Sequence, residues 1–202
     1  MKKLAFLLLC LLGIQFSFAQ NIGLPNSRCS KIGIRVGYNC TCVFDGVSLD
    51  VKWKQSANFG IIADFPYKGN WIIRPGIYLT GKGFKKRIQD IEYCNRCYNY
   101  LEAPLLVVYQ KSISEKSNFE LQFGPYFSYG IYGKSGCGYI FNNYEMCIET
   151  FDHYKRFDWG VNAGFGINVS HIYFGVAYDF GFVSIIDHAL NHCFMSNIGY
   201  NF

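Results

Sequence analysis

The stretch KIGIRVGY, residues Lys31 to Tyr38, alternates apolar side chains with small or charged ones at every position. Successive side chains of a β-strand point to opposite faces, so a strict period of two predicts a strand with two unlike faces. The apolar face carries Ile32, Ile34, Val36 and Tyr38, and the other face carries Lys31, Gly33, Arg35 and Gly37. This stretch therefore predicts an amphipathic strand, and no helical period of comparable length occurs after the first residues of the sequence.

The same alternation recurs along the chain and predicts eight strands in total. The segments after the first are residues 58–65, 71–80, 100–109, 119–131, 157–167, 172–181 and 194–202. Most of them reach the length of about 9–11 residues that a tilted membrane strand needs. The sequence therefore predicts an all-β fold, an eight-stranded antiparallel up-and-down transmembrane β-barrel.

The connections between these segments are alternately long and short. The long ones are residues 40–56, 85–97, 133–155 and 182–193, and the short ones are residues 66–70, 110–117 and 168–171. Outer-membrane barrels have short periplasmic turns and long outer loops. The alternation therefore predicts that both ends of the chain lie on the periplasmic side.

Aromatic residues make up 19% of the sequence, and on this topology they collect at two levels of the apolar face. The predicted periplasmic rim contains Phe65, Trp71, Tyr109, Phe119, Phe174 and Phe202, and the predicted outer rim contains Tyr38, Tyr129, Phe157, Trp159, Phe180 and Phe194. Two aromatic girdles that flank an apolar band are typical of membrane barrels. The alternative is a soluble barrel, in which the apolar face would point inward and the polar face outward.

The first residues have the features of a signal peptide. Lys2 and Lys3 form a basic start, residues 4–14 form an apolar segment too short to span a membrane, and small residues follow. We predict cleavage between Ala19 and Gln20, which makes 1–19 a cleaved signal peptide and 20–202 a single barrel domain. Export in this way predicts the outer membrane as the final location. Lipidation of a cysteine within the apolar segment is a less favoured alternative.

The charge of the chain names no partner. Loss of the signal peptide lowers the formal net charge from +5 to +3, because two lysines are removed. We interpret the basic run KGFKKR, residues 82–87, as a solvated loop, with contact to glycolipid phosphates as a second interpretation. Nothing in the pattern indicates a nucleic-acid partner.

Four further stretches resemble a known family. YLEAPLLVVY (residues 100–109), FGPYFSYGI (123–131), FDWGVNAGFGI (157–167) and YFGVAYDFG (173–181) are similar to the small porin-like outer-membrane β-barrel family of Bacteroidetes-type bacteria. KIGIRVGYN and the closing NIGYNF fit its first and last strands. The resemblance implies the barrel fold, the outer membrane and a terminal aromatic, here Phe202, that is read by barrel-assembly machinery. It implies no settled biochemical activity, and the many loop cysteines depart from the family pattern.

The predicted interior is polar and crowded. An eight-stranded barrel has an interior that side chains can fill, and a charge removed from water must be paired. We therefore predict a buried network of paired charges that plugs the barrel, in preference to a conducting path. Its charged members are Arg35, Asp64, Arg74, Glu102, Glu120, Asp158 and Asp179.

The cysteines are the unusual feature, and the exported location favours disulfides. We predict Cys137–Cys147 first and Cys94–Cys97 second. We further expect one cysteine of the pair Cys40 and Cys42 to bond Cys193, and Cys29 to have no partner within the chain. A zinc site built from the pairs Cys94/Cys97 and His188/His192 is an alternative on spacing, but we predict no metal and no cofactor.

Two classes of function follow, and a third is less favoured. The first is a non-enzymatic surface barrel that contacts outer-membrane lipid and presents disulfide-stapled loops, with an unknown extracellular ligand as a possible partner. The alternative is a small-solute channel or transport protein. The third is an enzyme acting on envelope lipid, which would need a nucleophile and a base in contact. No motif fixes such a pair among His153, His188, His192, Ser184 and Ser196, so we predict no catalytic residue.

Overall fold

The fold is an antiparallel β-barrel, seen in a computed structural model that describes residues 30–44, 51–88, 91–139, 145–149, 151, 155–186 and 189–202. The predicted signal peptide, with its cleavage between Ala19 and Gln20, lies outside the described residues. The strands are β1 (Lys31–Phe44), β2 (Val51–Lys52), β3 (Lys54–Pro66), β4 (Trp71–Ile88), β5 (Ile91–Ser114), β6 (Ser117–Tyr139), β7 (Glu145–Glu149), β8 (Phe157–Val169), β9 (Ile172–Ile186) and β10 (Ala189–Asn201). Within the described ranges, helices of the length and apolarity needed to cross a membrane do not occur.

Eight of these strands close the barrel. Their order around it is β1, β3, β4, β5, β6, β8, β9 and β10, and every neighbouring pair is antiparallel. The last strand pairs with the first, because Gly33 lies opposite Asn201 and the amide of Phe202 donates to the carbonyl of Ile32 at 2.8 Å. The short strands β2 and β7 add to β4 and β6 at the outer end. The predicted eight-stranded antiparallel barrel is confirmed.

The tight turns lie at the periplasmic end. Between β3 and β4 the amide of Tyr67 donates to the carbonyl of Trp71 at 2.9 Å, and Gly69 has a φ of 59°. This left-handed conformation favours glycine, which has no Cβ to clash. Between β8 and β9 the equivalent position is Ser170, with a φ of 57°.

The apolar face of each strand points away from the barrel axis. Ile32 is 58% exposed and Phe123 is 60% exposed, whereas Glu120 and Asp158 are fully buried inside. Such an inside-out distribution suits lipid as the surrounding solvent, because a lipid-facing surface must be apolar. The soluble-barrel alternative is therefore excluded.

The strands are longer than the sequence pattern predicts. β5 has 24 residues and β6 has 23. At about 3.3 Å per residue such a strand is roughly 80 Å long, while the hydrocarbon core of a bilayer is about 30 Å thick. Much of the predicted outer loops 85–97 and 133–155 is therefore strand, and the wall formed by β4, β5 and β6 continues well past the lipid.

Candidate functional site: the polar interior

The interior holds all seven charged residues predicted for it. They are Arg35, Asp64, Arg74, Glu102, Glu120, Asp158 and Asp179, and each is at most 7% exposed. The structure divides them into two clusters stacked along the barrel axis. The lower cluster, on the periplasmic side, centres on Arg74, and the upper cluster, toward the outer end, centres on Lys82.

In the lower cluster Arg74 is held on two sides. Its Nε and Nη2 donate to the two carboxylate oxygens of Asp64 at 2.5 and 2.9 Å. Its Nη1 and Nη2 donate to the two carboxylate oxygens of Glu120 at 2.6 and 3.0 Å. Glu120 also accepts from the side-chain amide of Asn168 at 2.8 Å. Two bidentate pairs on one guanidinium join β3, β4 and β6 across the interior.

Arg35 completes the lower cluster without a carboxylate among its described contacts. Its Nη2 donates to Oδ1 of Asn201 at 2.8 Å, and its guanidinium carbon lies 4.2 Å from the ring centroid of Tyr173. A cation above an aromatic face is attracted by the ring electrons, and more strongly away from water. With Asp64, Glu120 and two guanidinium groups, the lower cluster carries balanced charge.

The upper cluster centres on Lys82, which is 1% exposed. Its Nζ lies 2.7 Å from Oε2 of Glu102 and 3.4 Å from Oδ2 of Asp179, and 4.3 Å from the ring centroid of Tyr126. The interpretation of residues 82–87 as a solvated loop is therefore wrong at Lys82, which lies inside the barrel on β4. The sequence pattern does indicate this position, because Lys82 lies an even number of residues after Arg74 and therefore on the same inward face of β4.

Negative charge exceeds positive charge in the upper cluster. Asp179 accepts from the amide of Asn162 at 2.7 Å, and Asp158 accepts from the amide of Asn191 at 2.9 Å. Oδ1 of Asp158 has no hydrogen-bond partner among the described residues, and the same holds for the hydroxyl of Tyr126. Two of the three carboxylates, those of Glu102 and Asp179, thus contact the ammonium of Lys82, and the third, that of Asp158, is bound by Asn191.

Buried apolar clusters lie toward both ends of this polar interior. At the outer end the buried cluster contains Val43, Phe84, Tyr98 and Tyr100, with Phe151 packed against it. At the periplasmic end it contains Ile72, Leu106 and Val108. The ring of Phe151 lies 5.9 Å from that of Tyr100, edge to face. The aromatic cluster therefore covers the charged interior toward the outer end, while the polar side chains of Asn168 and Asn201 continue it toward the periplasmic end.

The outward face carries aromatic pairs near both ends. Trp71 and Tyr109 lie 5.0 Å apart, and Tyr200 and Phe202 lie 5.1 Å apart, at the periplasmic end. Trp159 and Phe182 lie 5.1 Å apart toward the outer end. Aromatic rings at these levels match the interfacial girdles of membrane barrels.

The cysteines divide between the two faces of the sheet. Cys193 is fully buried and lies opposite Thr41, so Cys40 and Cys42 lie on the other face. The expected bond from Cys193 to one of them is therefore wrong, because neighbouring positions of a strand point to opposite sides. Cys40, Cys42, Cys97 and Cys193 carry free thiols.

Of the two preferred disulfides, Cys137–Cys147 stays a prediction, whereas the prediction of Cys94–Cys97 is wrong, because Cys97 carries a free thiol. The backbone register places Cys94 opposite Cys137, and Gly136 opposite Cys147. The side chains of Cys94, Cys137 and Cys147 lie outside the described residues, as does Cys29. The thiol of Cys97 contacts Nζ of Lys54.

The structure describes only some of the residues considered above for a zinc site or for an enzyme acting on envelope lipid. Among the described residues no group of three or more His, Cys, Asp or Glu is placed to hold a metal ion. His192 shares a hydrogen bond of 2.7 Å with the hydroxyl of Tyr178. His153 and His188 lie outside the described residues.

A closed antiparallel barrel with an apolar exterior, aromatic girdles and a charged interior defines the class of outer-membrane β-barrels. The chain belongs to the outer membrane protein beta-barrel domain family, whose sequence profile matches residues 18–187. The protein is therefore an outer-membrane protein, as its alternating strands predict.

Solved structures with a similar arrangement of strands come from other outer membranes. Ail, the attachment invasion locus protein of Yersinia pestis, is 13% identical with a TM-score of 0.46, and the match covers 87% of this chain and 100% of Ail. Neisserial surface protein A is 8% identical with a TM-score of 0.48, over 87% of this chain and 100% of that one. OprG from Pseudomonas aeruginosa is 12% identical with a TM-score of 0.48, over 87% and 97%. No curated protein matches the sequence.

Proposed function

We propose that the protein is a non-enzymatic surface barrel of the outer membrane, with an interior filled by side chains and an outer end that presents contact surfaces. The observation that carries this proposal is the pair of bidentate contacts that Arg74 makes with Asp64 and Glu120. These bonds run across the interior, so a solute passing through would have to separate them. Removing one partner of a buried ion pair costs about 3–5 kcal/mol.

The aromatic cluster at the outer end supports the same conclusion. A solute that entered from outside would first meet the packed rings of Tyr98, Tyr100 and Phe151, and only then the charges. Filling of this kind suits a rigid platform whose outer end carries the function. The long wall of β4, β5 and β6 supports a role in contact outside the membrane, with an extracellular ligand of unknown chemistry and the outer-membrane lipid as partners.

The proposal also includes more specific predictions that were made from the sequence. Disulfide-stapled loops and the likeness to porin-like barrels of Bacteroidetes-type bacteria rest on the sequence motifs. The exposed terminal Phe202, 66% exposed, supports recognition by barrel-assembly machinery. No catalytic residue is assigned.

Single-channel recording in a planar lipid bilayer tests the plugged interior. We expect purified, folded barrel to give no steady conductance in potassium chloride, while an open porin in the same bilayer conducts. Steady, solute-dependent conductance of the unaltered protein would overturn the proposal.

A small-solute channel is the second candidate, and the excess negative charge of the upper cluster favours it. Glu102, Asp158 and Asp179 around one ammonium would attract cations. In the recording just described, this candidate requires cation-selective current that falls in the Asp158→Asn variant. An enzyme acting on lipid would instead alter the lipid masses of an expressing strain.

A further inference from the structure

Lys54 and Cys97 meet at the outer mouth of the barrel. Lys54 begins β3 and is 7% exposed, and its Nζ contacts Sγ of Cys97 on β5. β4 lies between these two strands, and the residue of β4 opposite Cys97 is Gly83. Because Gly83 has no side chain, nothing on it stands between the lysine and the sulfur. The register thus places an amine against a thiol, two strands apart.

The surroundings favour oxidation of this sulfur. An outer-membrane protein meets the oxidants of the medium, and Cys97 is a partly exposed thiol. Oxidation of a thiol gives a sulfenic acid, which condenses with a nitrogen in contact to form a sulfenamide. For Cys97 the described nitrogen in that position is Nζ of Lys54.

We propose that Lys54 and Cys97 form a covalent sulfur–nitrogen bridge when the protein meets hydrogen peroxide. In the first step the sulfur of Cys97 loses two electrons to the peroxide, whose O–O bond breaks, giving the sulfenic acid and one water. In the second step Nζ of Lys54, after releasing its extra proton to solvent, attacks the sulfur. The S–N bond forms, the S–OH bond breaks, and a second water leaves with an amine proton.

Such a bridge joins β3 to β5 across β4 above the aromatic rim. It competes with the Cys94–Cys97 disulfide predicted from the spacing, because Cys97 has one sulfur. Both products are two hydrogen atoms lighter than the reduced protein, so mass alone does not separate them. The identity of the partner of Cys97 decides between them.

Peptide mapping of the folded full-length barrel provides the test. The protein is reduced, freed of reductant, treated with hydrogen peroxide in detergent micelles, and then denatured and digested with trypsin without reductant. We expect loss of cleavage after Lys54, a cross-linked peptide that contains Lys54 and Cys97, and reversal of both by dithiothreitol. The Cys94→Ser variant should form the same cross-link, because it cannot form the disulfide.

Matched variants separate the bridge from other products. Lys54→Arg keeps the positive charge but removes the primary amine, so in the Cys94→Ser background it should give only sulfenic acid, trapped with dimedone. Lys85→Arg, a change on the same outer wall, should leave the cross-link intact. Heat-modifiable gel mobility confirms that each variant is folded. An unlinked Lys54 in the treated Cys94→Ser protein, or Cys97 bonded only to Cys94 in the unaltered protein, would overturn the proposal.

Discussion

At the scale of single residues, Arg74 is the most connected charge of the interior. It makes four hydrogen bonds to two carboxylates and is 2% exposed. Lysine has no planar fork and cannot reproduce two bidentate pairs. The stability of the lower cluster therefore depends on the shape of the guanidinium as well as on its charge.

We predict that Arg74→Met lowers the free energy of unfolding by about 3–5 kcal/mol, because it leaves Asp64 and Glu120 buried without their cation. Arg74→Lys should have a smaller effect in the same direction. The measurement is urea unfolding in micelles, followed by tryptophan fluorescence. As a control, Arg74→Met combined with Asp64→Asn and Glu120→Gln should recover much of the loss. Equal stability of Arg74→Met and the unaltered protein would contradict the central role of this residue.

In the upper cluster we predict opposite effects on stability for substitutions of Lys82 and Asp158. Glu102 and Asp179 both contact Lys82, so Lys82→Met should destabilise strongly. Asp158→Asn should keep or raise the stability, because it removes surplus negative charge and keeps an oxygen for Asn191. Unfolding curves of the two variants under identical conditions give the comparison. A greater loss for Asp158→Asn than for Lys82→Met would show that the charge count is wrong.

The residue scale also shows what sequence reasoning can find. Alternation alone placed Arg35 and Arg74 inside, because parity along a strand decides the face. Lys82 was missed because the basic run of residues 82–87 was interpreted as one solvated loop. Its first residue nevertheless follows the alternation of the strand and points inward. The pairing of Arg74 with Asp64 and Glu120 depends on strand register and stagger, which no single segment encodes.

At the scale of elements, the contact between β8 and β9 is unusually close at one point. Gly160 lies opposite Gly181, and a Cβ added at Gly160 would lie 2.0 Å from the carbonyl oxygen of Phe180. The neighbouring atom is backbone and cannot rotate away. The two strands therefore require glycine at this position for their spacing.

We predict that Gly160→Ala lowers the free energy of unfolding by about 1–3 kcal/mol, the usual range for overpacking. Gly69→Asn is the control, since the periplasmic turn has open space and asparagine tolerates a positive φ. Thermal shift of the heat-modifiable band on gels compares the two variants. A larger effect at Gly69 than at Gly160 would refute the close-contact argument.

The sequence did not predict where the strands end. Within the lipid each strand must keep one apolar face, so the period of two is enforced there. Beyond the lipid no apolar solvent enforces this pattern, and β5 continues there through polar residues such as Asn95 and Asn99. The alternation therefore measures the height of the membrane, whereas the hydrogen-bonded strand extends further.

At the scale of the whole molecule, closure depends on the last residues. β10 pairs with β1, and the amide of Phe202 bonds the carbonyl of Ile32 while its ring stays on the outer face. A main-chain bond is kept when the side chain changes. Phe202 can therefore be altered with little effect on the hydrogen bonds that close the barrel.

We predict that Phe202→Ser strongly reduces the amount of folded protein in the outer membrane of an expressing strain, while refolding of the purified chain into micelles changes little. The ratio of heat-modifiable to unfolded protein on gels measures both. Ile198→Ser, which alters the same lipid-facing side of β10, is the matched control and should impair both measurements alike. Equal defects for Phe202→Ser in cells and in micelles would argue against an assembly signal.

The burial of the charged interior also isolates it from the ions of the surroundings. Counterions screen attraction between exposed charges over a distance of about 10 Å at 0.1 M salt, but buried pairs are screened much less. Arg74 and Lys82 are 2% and 1% exposed, which keeps chloride and sodium away from them. The stabilisation that these buried pairs supply should therefore change little between dilute fresh water and concentrated brine.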